Sequence, residues 1–420
     1  MTWSERQRPA VLLLAHLLPW PLHGGGQMKS FHALRALATR YDVTLLSFVR
    51  RPSEAYDLGP LPDLCPGGIR TVPLPRHRGR DAWHLLRTLG GSDSVVIARD
   101  FSPAMHAAVA DETALRPYAV VHADHLPMAQ YLPPGGAASP RLLLDAHNVE
   151  HLLWRRMALA EGGSHLLRRF AGHDWPRLRA FEADAVRRAD RTLAVSDADA
   201  DAFRALVPEA ADRIAVTPIG VDTDYFRPAP VGLDAESELL TFGTLYWPPN
   251  VEGLRWFCAE VLPRLRAARP DASLTVVGAK PNREARGLAA VPGVRLVPDA
   301  PDVRPFAAGG PVFVAPLRSG GGVRVKILCA LAMGIPVVTT TVGAEGIGVE
   351  SGVHLLIADT ADAFAEAVLR LRSDRALASR LGGNGRAFVE RHHSPAAAGA
   401  ALLAAYDSLL GAAAGGRAAA

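Results

Sequence analysis

The chain has 420 residues, 49% of them hydrophobic, and a net charge of +4. That length predicts two domains with ordinary apolar cores, and the weak positive charge suits anionic substrates or a membrane surface while giving no argument for nucleic acid. Three scattered cysteines, Cys65, Cys258 and Cys329, form neither a metal-ligand spacing nor a disulfide framework, which points to a reducing cytoplasm.

Arg6 and Arg8 precede the apolar run VLLLAHLLPWPL. His16, Pro19 and Pro21 interrupt it, no small-residue cleavage site follows, and it falls short of the ~20 residues that span a bilayer. Residues 10–15 are therefore read as a first strand. Gly24, Gly25 and Gly26 follow, then a helix over residues 27–39 with Phe31, Leu34, Leu37 and Ala38 at helical spacing. Open α/β sheets bind ligands at such carboxyl ends of strands, although a flexible turn fits these glycines equally well and their spacing is not a dinucleotide fingerprint. Residues 43–48 close a β-α-β unit. Residues 50–92 are proline-rich and irregular. Their basic cluster (Arg76, His77, Arg78, Arg80, Arg87) is interleaved with Trp83, Leu85, Leu86 and Leu89. A solvated loop and one helix are the preferred reading over contact with an anionic acceptor or a membrane.

Residues 95–98, 119–122 and 142–144 read as buried strands. The last leads into DAHNVEHLLWRR (145–156), which puts His147 and Asn148 just past a strand end. Alone, that pair reads as a turn, and Glu150 as a favourable acid in a first helical turn. Residues 165–188 form an Arg-rich helical region broken at Pro176. Residues 192–195 are a strand, Ser196 and Asp199 a capping pair, and residues 214–217 the last strand of the first half.

Pro228 and Pro230 mark a boundary. Strands at 239–242, 274–277, 294–297, 312–315, 337–341 and 355–357 then alternate with helices, so parallel sheets are expected in both halves. After the first of these, Thr244 is a donor suited to phosphate and Asn250 a cap for the helix bearing Leu254, Trp256 and Phe257. After residues 312–315 comes PLRSGGGVRVKILCALAMGIPVVTTTVGAEG (316–346). Gly320, Gly321 and Gly322 open a loop, a helix covers residues 323–333, and Gly334 and Pro336 end it. Arg318, Arg324 and Lys326 crowd the start of that helix, where cations are disfavoured. A bound anion such as phosphate would outweigh the repulsion; a solvated basic turn is the alternative. No repeat of solenoid period occurs, and the tail GAAAGGRAAA is of low complexity.

Residues 316–346 resemble the donor-site segment of nucleotide-sugar-dependent GT-B glycosyltransferases, in particular retaining family 4 (glycosyl transferases group 1). They match the bacterial exopolysaccharide-type signature PLRxGGGxRxKILEAxAxGxPVVxTxxGAEG at nearly every position. Residues 145–156 resemble that group's DxHNVExxLWRR run. TPIGVDTDYFRP (217–228) is similar to its PxGVDxxxF linker, GTLYWPPN (243–250) to its GxxxWxPN variant, and VPDAPDVRPF (297–306) to the loop on which the nucleobase rests. The resemblance implies two Rossmann-like, doubly wound parallel-sheet domains facing a central cleft. They are an acceptor-binding domain at 9–217 and a nucleotide-sugar-binding domain at 218–394, followed by a helix at 395–410 returning to the first domain and a flexible tail at 411–420.

The implied activity is metal-independent sugar transfer with retention, needing no cofactor beyond the nucleotide diphosphate sugar donor. The acceptor is a glycan, a lipid-linked saccharide or a small molecule. The protein is expected in the cytoplasm, at the inner membrane face where the acceptor is lipid-linked. His147, Arg324 and Lys326 carry over as catalytic. Gly24, Gly25, Gly26, Asn148, Glu150, Gly243, Thr244, Val297, Arg318, Gly320, Gly321, Gly322, Val323, Cys329 and Glu345 carry over as substrate contacts. No metal ligands are expected; Asp222 and Asp224 have the letters of a metal motif but lie in the linker match. Two departures stand out. Cys329 occupies the position of the family's ribose-binding Glu, which makes Glu345 the candidate replacement. The Arg and Lys that many members place near residues 243–250 are absent. A nucleotide-sugar epimerase, which needs carboxylates around the sugar, and a non-catalytic binding protein on the same fold, which Cys329 favours, remain as rival readings.

Overall fold

The computed structural model describes residues 8–416 apart from 23, 77–78, 80–82, 85–86, 89–90, 92, 137–138, 160–164 and 230–238. His77, Arg78, Arg80, Leu85, Leu86, Leu89 and Pro230 therefore lie outside the described residues. The chain divides into two compact units, one of residues 1–158, 169–220 and 398–420, the other of residues 159–168 and 221–397.

The first unit is built on seven strands: β1 (Ala10–Ala15), β2 (Asp42–Val49), β3 (Gly68–Pro73), β4 (Val120–Asp124), β5 (Arg141–Asp145), β6 (Arg191–Ala194) and β7 (Ile214–Val216). They form one parallel sheet in the order β3-β2-β1-β4-β5-β6-β7. The winding reverses between β1 and β4, which makes the carboxyl ends of these strands the place where such sheets take ligands. The inner strands β1, β2 and β5 are largely apolar and buried on both faces, as in a parallel sheet covered by helices on both sides. The helix Pro395–Gly416 joins this unit, packing Leu402, Ala405, Tyr406 and Leu409 against Leu34, Leu37 and Tyr41.

The second unit carries β8 (Leu239–Thr244), β9 (Leu274–Ala279), β10 (Val294–Pro298), β11 (Val312–Ala315), β12 (Val337–Thr339) and β13 (Leu356–Ile357). Its parallel order is β10-β9-β8-β11-β12-β13, with the reversal between β8 and β11. The loops after β8 and β11 are therefore neighbours at this sheet's switch point.

Five expectations are corrected. Residues 95–98 form a turn of helix (Val95–Ala98) instead of a strand. The buried carboxylate of Asp174 accepts from Ser94 Oγ (2.8 Å) and from the backbone N–H of Val95 (2.7 Å) and Val96 (3.4 Å), which satisfies the donors of a helix start. The irregular stretch contains β3, an edge strand. The helix His165–Arg188 runs through Pro176, held on either side by the buried residues Asp174 and Leu178. The first glycine loop is shorter than expected, because the helix begins at Gly25 and runs Gly25–Ala38. Finally, the tail is helical as far as Gly416, in keeping with its alanine content. Asp174→Ala is expected to lower the unfolding free energy by about 3 kcal/mol, since it orphans buried donors; urea denaturation reads this as an earlier midpoint at unchanged slope. An unchanged midpoint would show that water replaces the cap.

Candidate functional site

In the second unit the chain leaves β11 through the glycine loop and enters the helix Val325–Ala332. Gly320 (φ +114°) and Gly322 (φ +71°) sit in the left-handed region, where a side chain would be strained. Arg324 immediately precedes the helix. Its guanidinium folds back to donate to the carbonyls of Gly321 and Gly322 and, at 3.3 Å, to that of Val342. Arg324 thus ties the glycine loop to the short helix Thr341–Ala344 that follows β12, and Glu345 is the half-buried residue closing that helix.

Lys326 is the second residue of the helix, in its first turn. Its ammonium donates to Asn250 Oδ1 at 2.9 Å, and Asn250 Nδ2 donates to Thr244 O at 2.8 Å and Thr244 Oγ1 at 3.3 Å. This corrects the capping role given to Asn250. The helix starts earlier, as Pro248–Trp256 with Trp247 at its N-cap, because Pro248 suits a first helical position. Asn250 instead links the loop after β8 to the helix after β11. A side chain at Gly243 (φ +151°) would point at this pair, 3.6 Å from Asn250 Nδ2 and from Lys326 Cδ. Burial, and then the neighbouring Arg324 charge, lower the Lys326 ammonium to about 7.

The remaining donor-side residues are more dispersed. Arg318 is exposed and lies over the Trp256 ring, 5.4 Å from its centre. Val323 is buried below the loop. Cys329 is buried on the same helix, and burial pushes its thiol far above the ordinary range, so it offers no charged acceptor. Val297 lies on the edge strand β10, separated from β8 by β9.

In the first unit β4 and β5 end in Asp124 and Asp145, side by side in register. His147 follows β5, and its Nε2 lies 2.7 Å from Asp124 Oδ1. A carboxylate only accepts, so Nε2 carries the proton and Nδ1 is left as an acceptor. Burial, and then Lys29, lower the His147 imidazole below its ordinary value, so it is neutral at pH 7. His125, at φ +85°, packs edge-on against it with ring centres 3.7 Å apart. Ser30 donates to Asp124 Oδ2 at 2.6 Å, and Lys29 pairs with Asp145. His122 lies 3.6 Å from Asp145 and exchanges a 2.8 Å hydrogen bond with the Tyr406 hydroxyl. Burial alone would raise both carboxyls. His147 and His125 hold Asp124, and Lys29 holds Asp145, below the usual carboxylate range. Ligand atoms of His122, Asp124 and Asp145 lie within 4.8 Å of one another, and the Lys29 ammonium already provides a cation there.

Gly24 and Gly26 need no left-handed backbone. A Cβ on Gly24 would meet nothing within 4 Å, and one on Gly26 would sit 3.7 Å from His147 Nδ1. With Gly25, they leave the start of the helix bare beside the histidine. Asn148 donates to Glu150 Oε1 at 3.2 Å. Burial and the nearby Glu182 raise the Glu150 carboxyl to about 7. Glu182 caps the helix Glu150–Leu159, accepting from the backbone N–H of Glu150 (2.8 Å) and His151 (3.2 Å). Sequence reasoning missed Lys29, Asp124, His125 and the linking role of Asn250.

Two family models match the chain: "Glycosyltransferase Family 4" over residues 23–225 and "Glycosyl transferases group 1" over residues 236–374. An uncharacterised 44.6 kDa protein in the cps region of Klebsiella pneumoniae is 26% identical over 163 residues, which is 37% of this chain and 42% of that protein. The chain thus spans less than half the length of this curated relative. Among solved structures, sucrose-phosphate synthase from Thermosynechococcus elongatus is similar with a TM-score of 0.71 at 21% identity, over 97% of this chain and 100% of that one. Anabaena HepE in complex with UDP-glucose is similar with a TM-score of 0.64 at 13% identity, over 95% and 100%. These likenesses show the fold, two parallel-sheet units of the GT-B type.

Proposed function

We propose that this chain, which belongs to the family 4 (group 1) glycosyltransferases of GT-B fold, moves a sugar from a nucleotide diphosphate sugar to an acceptor hydroxyl. The observation that carries this reading is the second unit's switch point, where a glycine loop, a helix N-terminus and the Lys326–Asn250–Thr244 chain come together. Such a helix start attracts phosphate, and Lys326 adds a cation whose charge a diphosphate would restore. The donor binds this unit and the acceptor the first, beside His147. The leaving diphosphate gathers negative charge in the transition state, and Lys326 with the helix N–H groups stabilises it. Retention, independence of metal and a surface-polysaccharide acceptor belong to the same proposal, as do contacts from Arg318, Gly320 to Gly322, Val323, Val297 and Glu345. Among the described residues no helix is long and apolar enough to cross a membrane, and a lipid-linked acceptor would be met at the membrane surface.

Thermal unfolding with UDP, GDP, ADP, dTDP and CDP, with and without EDTA, tests the reading. A nucleotide at one hundred times its Kd adds about 2.7 kcal/mol, which raises the midpoint by roughly 2 °C or more. One base shifting it, with EDTA indifferent, is the expected result; no shift from any nucleotide would overturn the reading. The anomeric configuration of the first product, read by NMR, decides retention. Glu345→Gln is expected to weaken the stabilising nucleotide about tenfold through a lost charge-assisted bond to ribose; unchanged affinity would remove Glu345 from the site. The buried, uncharged thiol of Cys329 favours a second reading, a binding protein without activity. Transfer by Cys329→Glu but not by the natural chain would establish it.

A further inference from the structure

We infer that His125 is a second residue holding the acceptor, with the attacking hydroxyl seated over Gly26 between His125 Nε2 and His147 Nδ1. This rests on the transferase reading and deepens it in the first unit. His125 directly follows β4. At φ +85° and ψ +146° its backbone lies close to a region that only glycine enters without strain. Two hydrogen bonds keep it there: its N–H donates to Asp145 O, and its carbonyl accepts from the N–H of Met128, both at 3.0 Å. Glycine would make both bonds unstrained, so the backbone gives no reason for a histidine. Strain of this kind gathers at functional sites, and what glycine would lack here is the imidazole ring.

That ring stands edge-on to His147, with the planes at 74°. Among the described residues neither of its nitrogens has a hydrogen-bond partner, and the same holds for Nδ1 of His147, a residue only 6% exposed. None of the three nitrogens is sealed from solvent. A Cβ built on Gly26 would lie 3.6 Å from His125 Nε2 and 3.7 Å from His147 Nδ1. An oxygen ~1 Å nearer the rings is within hydrogen-bond range of both. His147 Nδ1 has no proton and can only accept. Two lone pairs turned to one point repel, so the occupant fixes the His125 proton on Nε2, which then donates. A hydroxyl meets both demands, giving its proton to one bond and a lone pair to the other. A carboxylate or phosphate has no proton for His147, and an ammonium has no lone pair for His125. Burial holds the His125 imidazole well below its ordinary value, so both rings are neutral at pH 7 and suit an uncharged group. In transfer the oxygen bonds to the anomeric carbon and the bond from that carbon to the diphosphate breaks. The hydroxyl proton leaves along its hydrogen bond to His147 Nδ1, giving an imidazolium beside Asp124.

The test uses the full chain with nucleotide sugars of the base that stabilises it. Release of nucleoside diphosphate is followed with the octyl glycosides of glucose, galactose and mannose as acceptor probes, and with water alone; where only water reacts, the release rate stands in for kcat/KM. His125→Ala and His125→Gly both remove the ring, and only the second also relieves the backbone. Both are expected to raise KM for the glycoside about tenfold without altering the nucleotide-induced shift. His125→Gly is expected to unfold about 2 °C or more above His125→Ala. Gly26→Ala puts a methyl where the hydroxyl sits, at ordinary contact distance from both rings. It is expected to cut kcat/KM about a hundredfold in a chain that unfolds no earlier than the natural one, and it carries the test alone where a His125 variant fails to fold. The natural KM in His125→Gly, the natural kcat/KM in Gly26→Ala, or equal midpoints for the two His125 variants overturns this inference alone. No nucleotide shift, or no release by the natural chain with any glycoside or with water, overturns the transferase reading and this inference with it.

Discussion

Lys326→Met is expected to reduce sugar transfer by about 10²–10³-fold, the range for removing one preorganised group that meets charge developing in a transition state. Methionine keeps most of the aliphatic stem, and position 326 is only partly buried, so the fold should survive. Affinity for the nucleotide diphosphate should fall less, about tenfold, because the donor's diphosphate carries part of this charge before the bond breaks. Initial rates at saturating donor, set beside calorimetric Kd values, separate the two effects. Equal losses in both would mean that Lys326 binds the ground state and transition state alike. Asn250→Ala frees the ammonium from its 2.9 Å partner and should shift the rate in the same direction by a smaller factor.

The same ammonium sets a pH dependence whose sign can be worked out. Its pKa is about 7 in the unliganded chain, against an ordinary value of 10.5. A diphosphate beside it favours the charged form and raises that value, so binding takes up a proton. Affinity is then flat below pH 7 and falls by up to tenfold per pH unit above it, until the pKa of the bound form is reached. For folding the sign is opposite. Between about 7 and 10.5 the unfolded state holds this proton more often than the folded state does, so the unliganded chain gains stability from Lys326 as pH rises through that window. Lys326→Met should flatten both profiles, which distinguishes this group from Glu150, also near 7.

Most strands were legible because a parallel, doubly covered sheet demands short continuous apolar runs, and these stand out between glycines and prolines. Residues 95–98 show where that signal fails. VVIA suits a buried strand or a buried turn of helix equally, and the decision comes from Asp174, 79 residues from Val95. β3 was missed for the converse reason: as an edge strand it is exposed or half-exposed everywhere but at Val72 and carries Arg70 and Thr71 among its apolar residues. At the candidate site the motif residues were legible and their division of labour was not. Arg324 and Lys326 look equivalent in sequence, yet Arg324 is spent on loop carbonyls while Lys326 reaches across to Asn250. One signal was overlooked. Arginine supplies nearly all the cations of this chain, and only Lys29, Lys280 and Lys326 are lysines. Two of these three hold polar partners at the candidate sites, Lys29 on Asp145 and Lys326 on Asn250, and a lysine brings a compact point charge where an arginine brings a planar fork.

Asp124→Asn is expected to lower transfer by roughly 10²–10⁴-fold while changing donor affinity little, through the tautomer of His147. With aspartate, the 2.7 Å contact fixes the proton on Nε2 and leaves Nδ1 as an acceptor beside Gly26. An asparagine amide turned to keep the Ser30 hydrogen bond, 2.6 Å in the natural chain, presents its NH₂ to the ring. The proton then moves to Nδ1, and the acceptor on that side is lost. The substitution also removes a buried charge that His147, His125 and Lys29 stabilise, so the unfolding midpoint must be measured alongside. A double-mutant cycle with His147→Ala makes the test decisive. If Asp124 acts through His147, adding Asp124→Asn to His147→Ala costs little further activity, and the two losses are strongly non-additive. Full additivity would mean that Asp124 serves the buried Lys29–Asp145 network instead, and that His147 is oriented by its packing on His125.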